Sequence, residues 1–263
     1  MIVEFIGCDG AGKTTLCRML GRSGALEDRA VGMADLLLDR PGLSWIAHPT
    51  ARNVVQEVGG LPFLVRSFRR RREYLAFARR MHVRYAPTTY DRLNGMRGIA
   101  RRVGMYELAR SRAEERIVLS DEGTVLSAYL FALSGVELDR SDVERFAELV
   151  PCPDRIVYVK APVEVLVRRA TARPDLRRQH AGRTPSEVER TIRRTVDVFD
   201  LVAECASLRD RVLVIENGDD DLERLRRAGS DLANEFRAVA SLAALDTHRA
   251  TGVHLEPLSP EPR

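Results

Sequence analysis

Five short apolar runs punctuate the chain, and the segments between them carry helical spacing. Met1 to Ile6 reads as a buried β-strand, and Ala30 to Met33 as a weaker one. Ala34 to Leu38 either extends that second strand or starts a helix. The third run, Arg116 to Leu119, ends in Ser120-Asp121-Glu122. Arg155 to Lys160 and Arg211 to Ile215 are the fourth and fifth. After Gly12 a helix is expected, with Leu16 and Leu20 four apart on one face. Residues 50–112 are helix-rich, with breaks expected near Gly59-Gly60, Pro87 and Gly104. Further helices are expected at about 124–134, 141–150, 186–206 and 220–244. Another runs to about Ala172, with Pro162 as its first residue.

Strands separated by helices predict an α/β fold, a three-layer sandwich in which a parallel sheet is flanked by helices. Ligands bind such sheets at the carboxyl ends of the strands, where Gly7 and Asp121 are both expected. No fixed-period repeat is present. The pattern divides into one domain, residues 1–245, with a helical insertion at about 50–112. A polar segment at about 173–185 reads as a lid. Residues 246–263 hold three prolines without apolar periodicity and read as a flexible tail.

The chain's 44% hydrophobic and 30% charged residues match a globular protein rather than a disordered or fibrous one. No apolar run approaches the roughly 18 residues that cross a bilayer. No secretory leader is visible, and Cys8, Cys17, Cys152 and Cys205 lack C-x-x-C spacing. A reducing cytoplasm is the expectation, without zinc, disulfides or membrane. Two arginine clusters stand out, Arg69 to Arg72 and Arg168 to Arg183. With no nucleic-acid motif beside them, they read as solvated helix faces or an anionic-substrate pocket.

Only two of the 42 basic residues are lysines, and one is Lys13 in Gly7-Cys8-Asp9-Gly10-Ala11-Gly12-Lys13-Thr14-Thr15. That stretch matches G-x-x-x-x-G-K-[ST] at every fixed position, between an expected strand and an expected helix. Glycines let backbone N–H groups turn inward on a phosphate, and the helix N-terminus adds partial positive charge. Lys13 is then expected on the β- and γ-phosphates of ATP and Thr14 on Mg²⁺. Retaining lysine in a chain that otherwise uses arginine favours a compact ammonium there. Asp121 and Glu122, at the end of an apolar strand, suit a carboxylate near the metal and a group facing metal or acceptor. Asp9 lies among the expected phosphates, so it needs a role, either orienting a substrate hydroxyl or accepting loop N–H bonds.

This loop resembles that of the thymidylate kinase family, and more broadly of P-loop nucleoside and nucleotide kinases. Ser127-Ala128-Tyr129 is similar to the S-x-A-Y stretch of thymidylate kinases. Pro153-Asp154 followed by Arg155 to Lys160 and Pro162-Val163-Glu164 resembles their Pro-Asp, strand, Pro-x-Glu segment. The likeness covers residues 1–20 and about 116–215. It implies Mg²⁺-dependent transfer of the ATP γ-phosphoryl group to a nucleoside monophosphate, thymidylate by default, or to a nucleoside. It also implies Asp9 facing the acceptor's sugar, a homodimer among the admissible assemblies, and a lid arginine on phosphate. Arg173 is the first candidate for that arginine, followed by Arg177, Arg178 and Arg183. The family typically has Asp-Arg where this chain has Asp121-Glu122, which reverses the local charge and keeps a non-nucleotide acceptor in view.

Within the insertion, Tyr85, Tyr90, Arg92, Asn94 and Arg97 offer an acceptor group, against the alternative of core tyrosines and surface arginines. Tyr129 joins the acceptor candidates by resemblance. Trp45 and His48 read as packing. Two other readings stay open: a nucleotide-dependent switch or ATPase in which Glu122 polarises water, and an ATP-binding module without turnover.

Overall fold

The computed structural model describes residues 1–22, 26, 29–38, 49–112, 116–133, 136–172, 184–218 and 222–251. All five expected strands form: β1 (Ile2–Ile6), β2 (Ala30–Gly32), β3 (Ile117–Ser120), β4 (Arg155–Lys160) and β5 (Val212–Glu216). They make one parallel sheet in the order β2-β3-β1-β4-β5. Between them lie α1 (Lys13–Arg22), α2 (Asp35–Leu38), α3 (Pro49–Tyr85), α4 (Thr89–Arg110), α5 (Leu130–Leu133), α6 (Arg140–Leu149), α7 (Val163–Thr171), α8 (Pro185–Glu204) and α9 (Leu222–Thr251). A 3-10 turn at Val125–Tyr129 leads into α5. Among the described residues, no helix is long and apolar enough to cross a membrane.

The two faces of the sheet follow from the period of two along each strand. Val3, Phe5, Val157 and Val159 point to the side where Leu16 and Leu20 of α1, Leu166 of α7 and Phe236 of α9 pack. Ile6, Ile156 and Tyr158 point to the other side, against Tyr74 and Phe77 of α3, Val103 of α4 and Phe146 of α6. Each fully buried leucine or phenylalanine here contributes about 1.5–3 kcal/mol.

Of the three expected breaks in the helical insertion, only the one at Pro87 occurs. It separates α3 from α4, with Thr88 capping α4 by accepting from the Asp91 N–H. The breaks at Gly59-Gly60 and Gly104 are corrected: α3 runs 37 residues through both glycines and Pro62, and α4 runs through Gly104. These glycines let two helices touch rather than ending them. A Cβ built on Gly104 would lie 2.5 Å from the Gly60 carbonyl oxygen, which is backbone and cannot rotate away. On Gly60 the nearest contacts, also backbone, would be 3.2–3.4 Å, tight but within reach of a small shift. Gly104→Ala is therefore expected to destabilise by about 1–3 kcal/mol through overpacking, despite a helix-propensity gain of about 1 kcal/mol. Gly60→Ala should cost less. Urea melts of the two variants check this, and a Gly104→Ala protein as stable as the parent would remove the close crossing.

Two smaller corrections concern helix ends. Pro162 caps α7 from outside instead of opening it, because its ψ of 144° is extended. α9 continues to Thr251, six residues into the expected tail, since the prolines begin only at Pro257. The expected lid falls largely on residues 173–183, which lie outside the described residues, as do Trp45, His48 and the tail beyond 251. At its far end Thr184 and Glu187 form a capping box and Pro185 is the first residue of α8.

Candidate functional site

The topology puts a crevice at the carboxyl end of β1. From β1 the chain crosses past β3 to β2 on one side, whereas from β3 it crosses past β1 to β4 on the other. Such a switch point is where loops diverge and a ligand fits. The β1–α1 loop, Gly7 to Gly12, occupies it.

Three of its glycines have positive φ: Gly7 at 132°, Gly10 at 84° and Gly12 at 100°. That conformation strains any residue with a Cβ. Gly7 also lies where a Cβ would meet the Val159 carbonyl oxygen of β4 at 2.3 Å. Gly12 packs on Asn217, whose side-chain amide donates to the Ala11 carbonyl at 2.7 Å. Arg169 of α7 donates to the Gly10 and Asn217 carbonyls at 3.2 and 3.1 Å. The loop is thus clamped from outside by α7 and the residue after β5, and it ends on the N-terminus of α1, a place suited to an anion.

Lys13 is the first residue of α1 and is buried. Its ammonium donates to the Gly7 and Cys8 carbonyls, both at 2.7 Å. The Thr14 hydroxyl donates to Asp121 Oδ2 at 2.9 Å. Residues 107 apart in sequence, one in the first turn of α1 and one just past the end of β3, thereby converge on one point. A hydroxyl and a carboxylate so placed are two oxygen ligands for a hard cation. Among the described residues no cluster of three or more His, Cys, Asp or Glu side chains forms a complete metal cage. A cation here would need oxygens from a ligand or water.

Glu122 meets a cation. Arg101 of α4 donates to it at 2.9 Å and also donates to Asn53 of α3. The charge reversal at Glu122 is therefore balanced locally, by an arginine 21 residues upstream.

Two cavities open beside these groups. The outer one, about 1030 Å³, is lined by Thr14, Asp121, Glu122, Asp35, Arg52 and Arg101 among others. Within it Arg52 and Asp35 pair at 2.8 Å. The inner one, about 390 Å³, lies between α3, α4 and the turn into α5, and shares Asn53, Arg101 and Arg102 with the outer.

Of the expected acceptor residues, Tyr129, Asn94 and Arg97 line the inner cavity, with Arg97 paired to Glu57 at 2.8 Å. Arg92 lines neither cavity, although its Nε is buried without a hydrogen-bond partner; Tyr90 is 56% exposed and lines neither. Tyr85 is fully buried and donates to Asp142 at 2.9 Å, so it serves the core. Asp9 is buried in the loop and lines neither cavity, and Thr15 is exposed. Arg173 lies outside the described residues. Arg70 and Arg71, from the basic run on α3, both bind the buried Glu107 of α4, so part of that run joins two helices.

Glu4 escaped the sequence reading. It is 1% exposed, on β1, and its carboxylate accepts the Leu126 N–H at 2.7 Å. A Cβ on Gly123 would strike this carboxyl group. Glu4 therefore props the turn that carries Asp121 and Glu122. Burial pushes its carboxyl up to about 7, opposed by the Leu126 and Val125 N–H groups and by Arg102. Its signal in the sequence was a lone carboxylate inside an apolar strand. Cys8 and Cys17 flank the site as inert thiols; burial pushes both up to about 12.

These features define an α/β chain with a five-stranded parallel sheet and a glycine loop, a lysine, a hydroxyl and a carboxylate gathered at its switch point. No protein-family model matches the chain. No curated protein matches it. Among solved structures it is similar to TT1252 from Thermus thermophilus, seen in a crystal structure, with 20% identity and a TM-score of 0.41 over 89% of this chain and 97% of that one. A likeness at that level does not bear on function.

Proposed function

We propose that the chain is a P-loop kinase that transfers the γ-phosphoryl group of ATP, with Mg²⁺, to a small-molecule acceptor in the adjoining cavities. The observation that carries this reading is the Thr14–Asp121 hydrogen bond of 2.9 Å beside the buried Lys13 ammonium and three positive-φ glycines. Bound Mg·ATP supplies the reactive phosphoryl group and the metal charge that offsets its oxygens. The loop N–H groups from Gly7 to Gly12 and the N-terminus of α1 bind the phosphates. With ATP bound, Lys13 would turn from the Gly7 and Cys8 carbonyls to phosphate oxygens, and Thr14 and Asp121 would hold the metal. Glu122, oriented by Arg101, faces the acceptor. Arg173 closes on the phosphates by the family resemblance alone. That resemblance nominates a nucleoside monophosphate or nucleoside, whereas the site itself asks only for a small molecule bearing a hydroxyl or phosphate.

ADP release measured with ATP, Mg²⁺ and a panel of nucleosides, nucleoside monophosphates, sugar phosphates and polyols tests the proposal. Turnover stimulated by one acceptor class is the expected result. Asp121→Asn should raise the Mg²⁺ concentration needed for half-maximal rate and lower kcat by about 10²-fold. Slow hydrolysis indifferent to every acceptor would replace the kinase reading with the switch.

A further inference from the structure

The inner cavity contains polar groups that neither the fold nor the proposed transfer uses. His82, on α3, is 5% exposed. Its Nδ1 lies 2.8 Å from the Ala78 carbonyl oxygen. A carbonyl only accepts, so Nδ1 carries the proton and Nε2 is left as an acceptor. Nε2 is the edge that packs against Gly95 of α4, where a Cβ would sit 2.2 Å from it. Burial, aided by the nearby Arg102 and opposed by the Ala78 carbonyl, lowers the imidazole's proton affinity and favours the neutral ring.

Arg102 lines both cavities, yet its buried Nε has no hydrogen-bond partner. Ser127, on the opposite wall, adjoins the Tyr74 hydroxyl without either oxygen reaching hydrogen-bond geometry. A buried polar group left unpaired costs about 1–3 kcal/mol, and native structures keep few of them without a reason. Here a histidine, an arginine and a serine line one half-open cavity. Asn94, Arg97 and Glu57 add further donors and acceptors, so that among the described lining polar surface outweighs the apolar surface of Ile99, the leucines and Tyr129. A nucleobase is ordinarily taken between apolar or aromatic faces and read at one edge. A wall of mixed donors and acceptors instead matches a ligand whose own surface alternates hydroxyl donors and acceptors.

We propose that the inner cavity is the recognition subsite for a hydroxyl-rich, non-aromatic part of the acceptor, a sugar or polyol, with His82 Nε2 accepting from one hydroxyl and Arg102 Nε and Ser127 contacting others. The proposal rests on the kinase reading, and it narrows the acceptor class in the direction opposite to the family resemblance.

The test is calorimetric binding to the full chain of ribose 5-phosphate, myo-inositol and, as the aromatic contrast, thymidine monophosphate. The variants are His82→Phe, His82→Gln and Ser127→Ala, and binding of a non-hydrolysable ATP analogue is measured on the same samples. A non-aromatic probe should bind. His82→Phe, which keeps a ring but removes the acceptor, should weaken that probe at least tenfold. His82→Gln, which restores an acceptor near the Nε2 position, should stay within threefold. Ser127→Ala removes one small hydroxyl beside that of Tyr74 and is expected to fold; it should weaken the probe at least threefold. The proposal is overturned if no non-aromatic probe binds, if thymidine monophosphate alone binds, or if His82→Phe and Ser127→Ala both leave affinity unchanged. Equal loss in His82→Phe and His82→Gln with Ser127→Ala silent would make His82 a packing residue and overturn it as well. Analogue binding separates the two proposals: its presence with no probe bound defeats only this subsite, whereas its absence defeats the kinase reading.

Discussion

Lys13→Ala is expected to lower kcat of the acceptor-stimulated reaction by about 10²–10³-fold, the usual loss when one preorganised charge is removed from a developing oxyanion. The ammonium is already buried at the loop, 2.7 Å from the Gly7 and Cys8 carbonyls, so little reorganisation separates this arrangement from one that faces phosphate. Those carbonyls hold it until an anion competes. Alanine also strips a donor from two buried carbonyls, at a stability cost of about 1–3 kcal/mol. Rates must therefore be taken per folded molecule, with the folded fraction read from a thermal melt. Lys13→Arg is not expected to rescue the rate. A planar guanidinium cannot concentrate its charge as an ammonium does. Turnover in Lys13→Ala within threefold of the parent would remove the phosphate-loop reading of Gly7 to Thr15.

The second large effect lies in the pH dependence of stability. Glu4 has its carboxyl raised to about 7 by burial, from an ordinary value near 4.5. The folded chain therefore holds a proton that the unfolded chain has released between those two values. Stability from this group is complete below about pH 4.5 and is lost as pH rises through about 7, a swing of about 3 kcal/mol. Glu4→Gln keeps an oxygen to accept from Leu126 N–H but cannot ionise. Its stability relative to the parent should improve by about 3 kcal/mol between pH 4.5 and pH 8. Urea denaturation at the two pH values measures that difference directly. A difference that does not change with pH would mean that Glu4 is charged in the fold, with Arg102 as its counter-ion. Burial opposes that outcome, and the Thr124 hydroxyl, which donates to the Pro151 carbonyl at 2.5 Å and lies 3.4 Å from Glu4 Oε2, does little for the charged form.

What could be read in advance follows from the range of the interactions involved. The strands appeared as apolar runs because a parallel sheet covered on both faces buries both sides of each strand. The β1 loop was legible because its geometry is set within nine residues: positive φ at Gly7, Gly10 and Gly12, then the first turn of α1. Asp121 was legible as the polar end of an apolar strand. The glycine breaks in α3 and α4 were misread because a glycine pattern states that a Cβ is excluded without stating what excludes it. Here the excluding atoms belong to another helix, Gly60 against Gly104.

The sequence by itself determined the order of elements, the parallel α/β class and the loop carrying Lys13 and Thr14, since these depend on spacing over a turn or a strand. It took the packed fold to show that Arg101 balances Glu122, that Glu4 props the turn beyond β3, that Arg169 and Asn217 clamp the loop, and that His82, Arg102 and Ser127 line one cavity. Each of these joins groups on different elements. Their pairing is set by how helices cross the sheet and by which polar atoms burial leaves in need of a partner, and neither leaves a periodic trace along the chain.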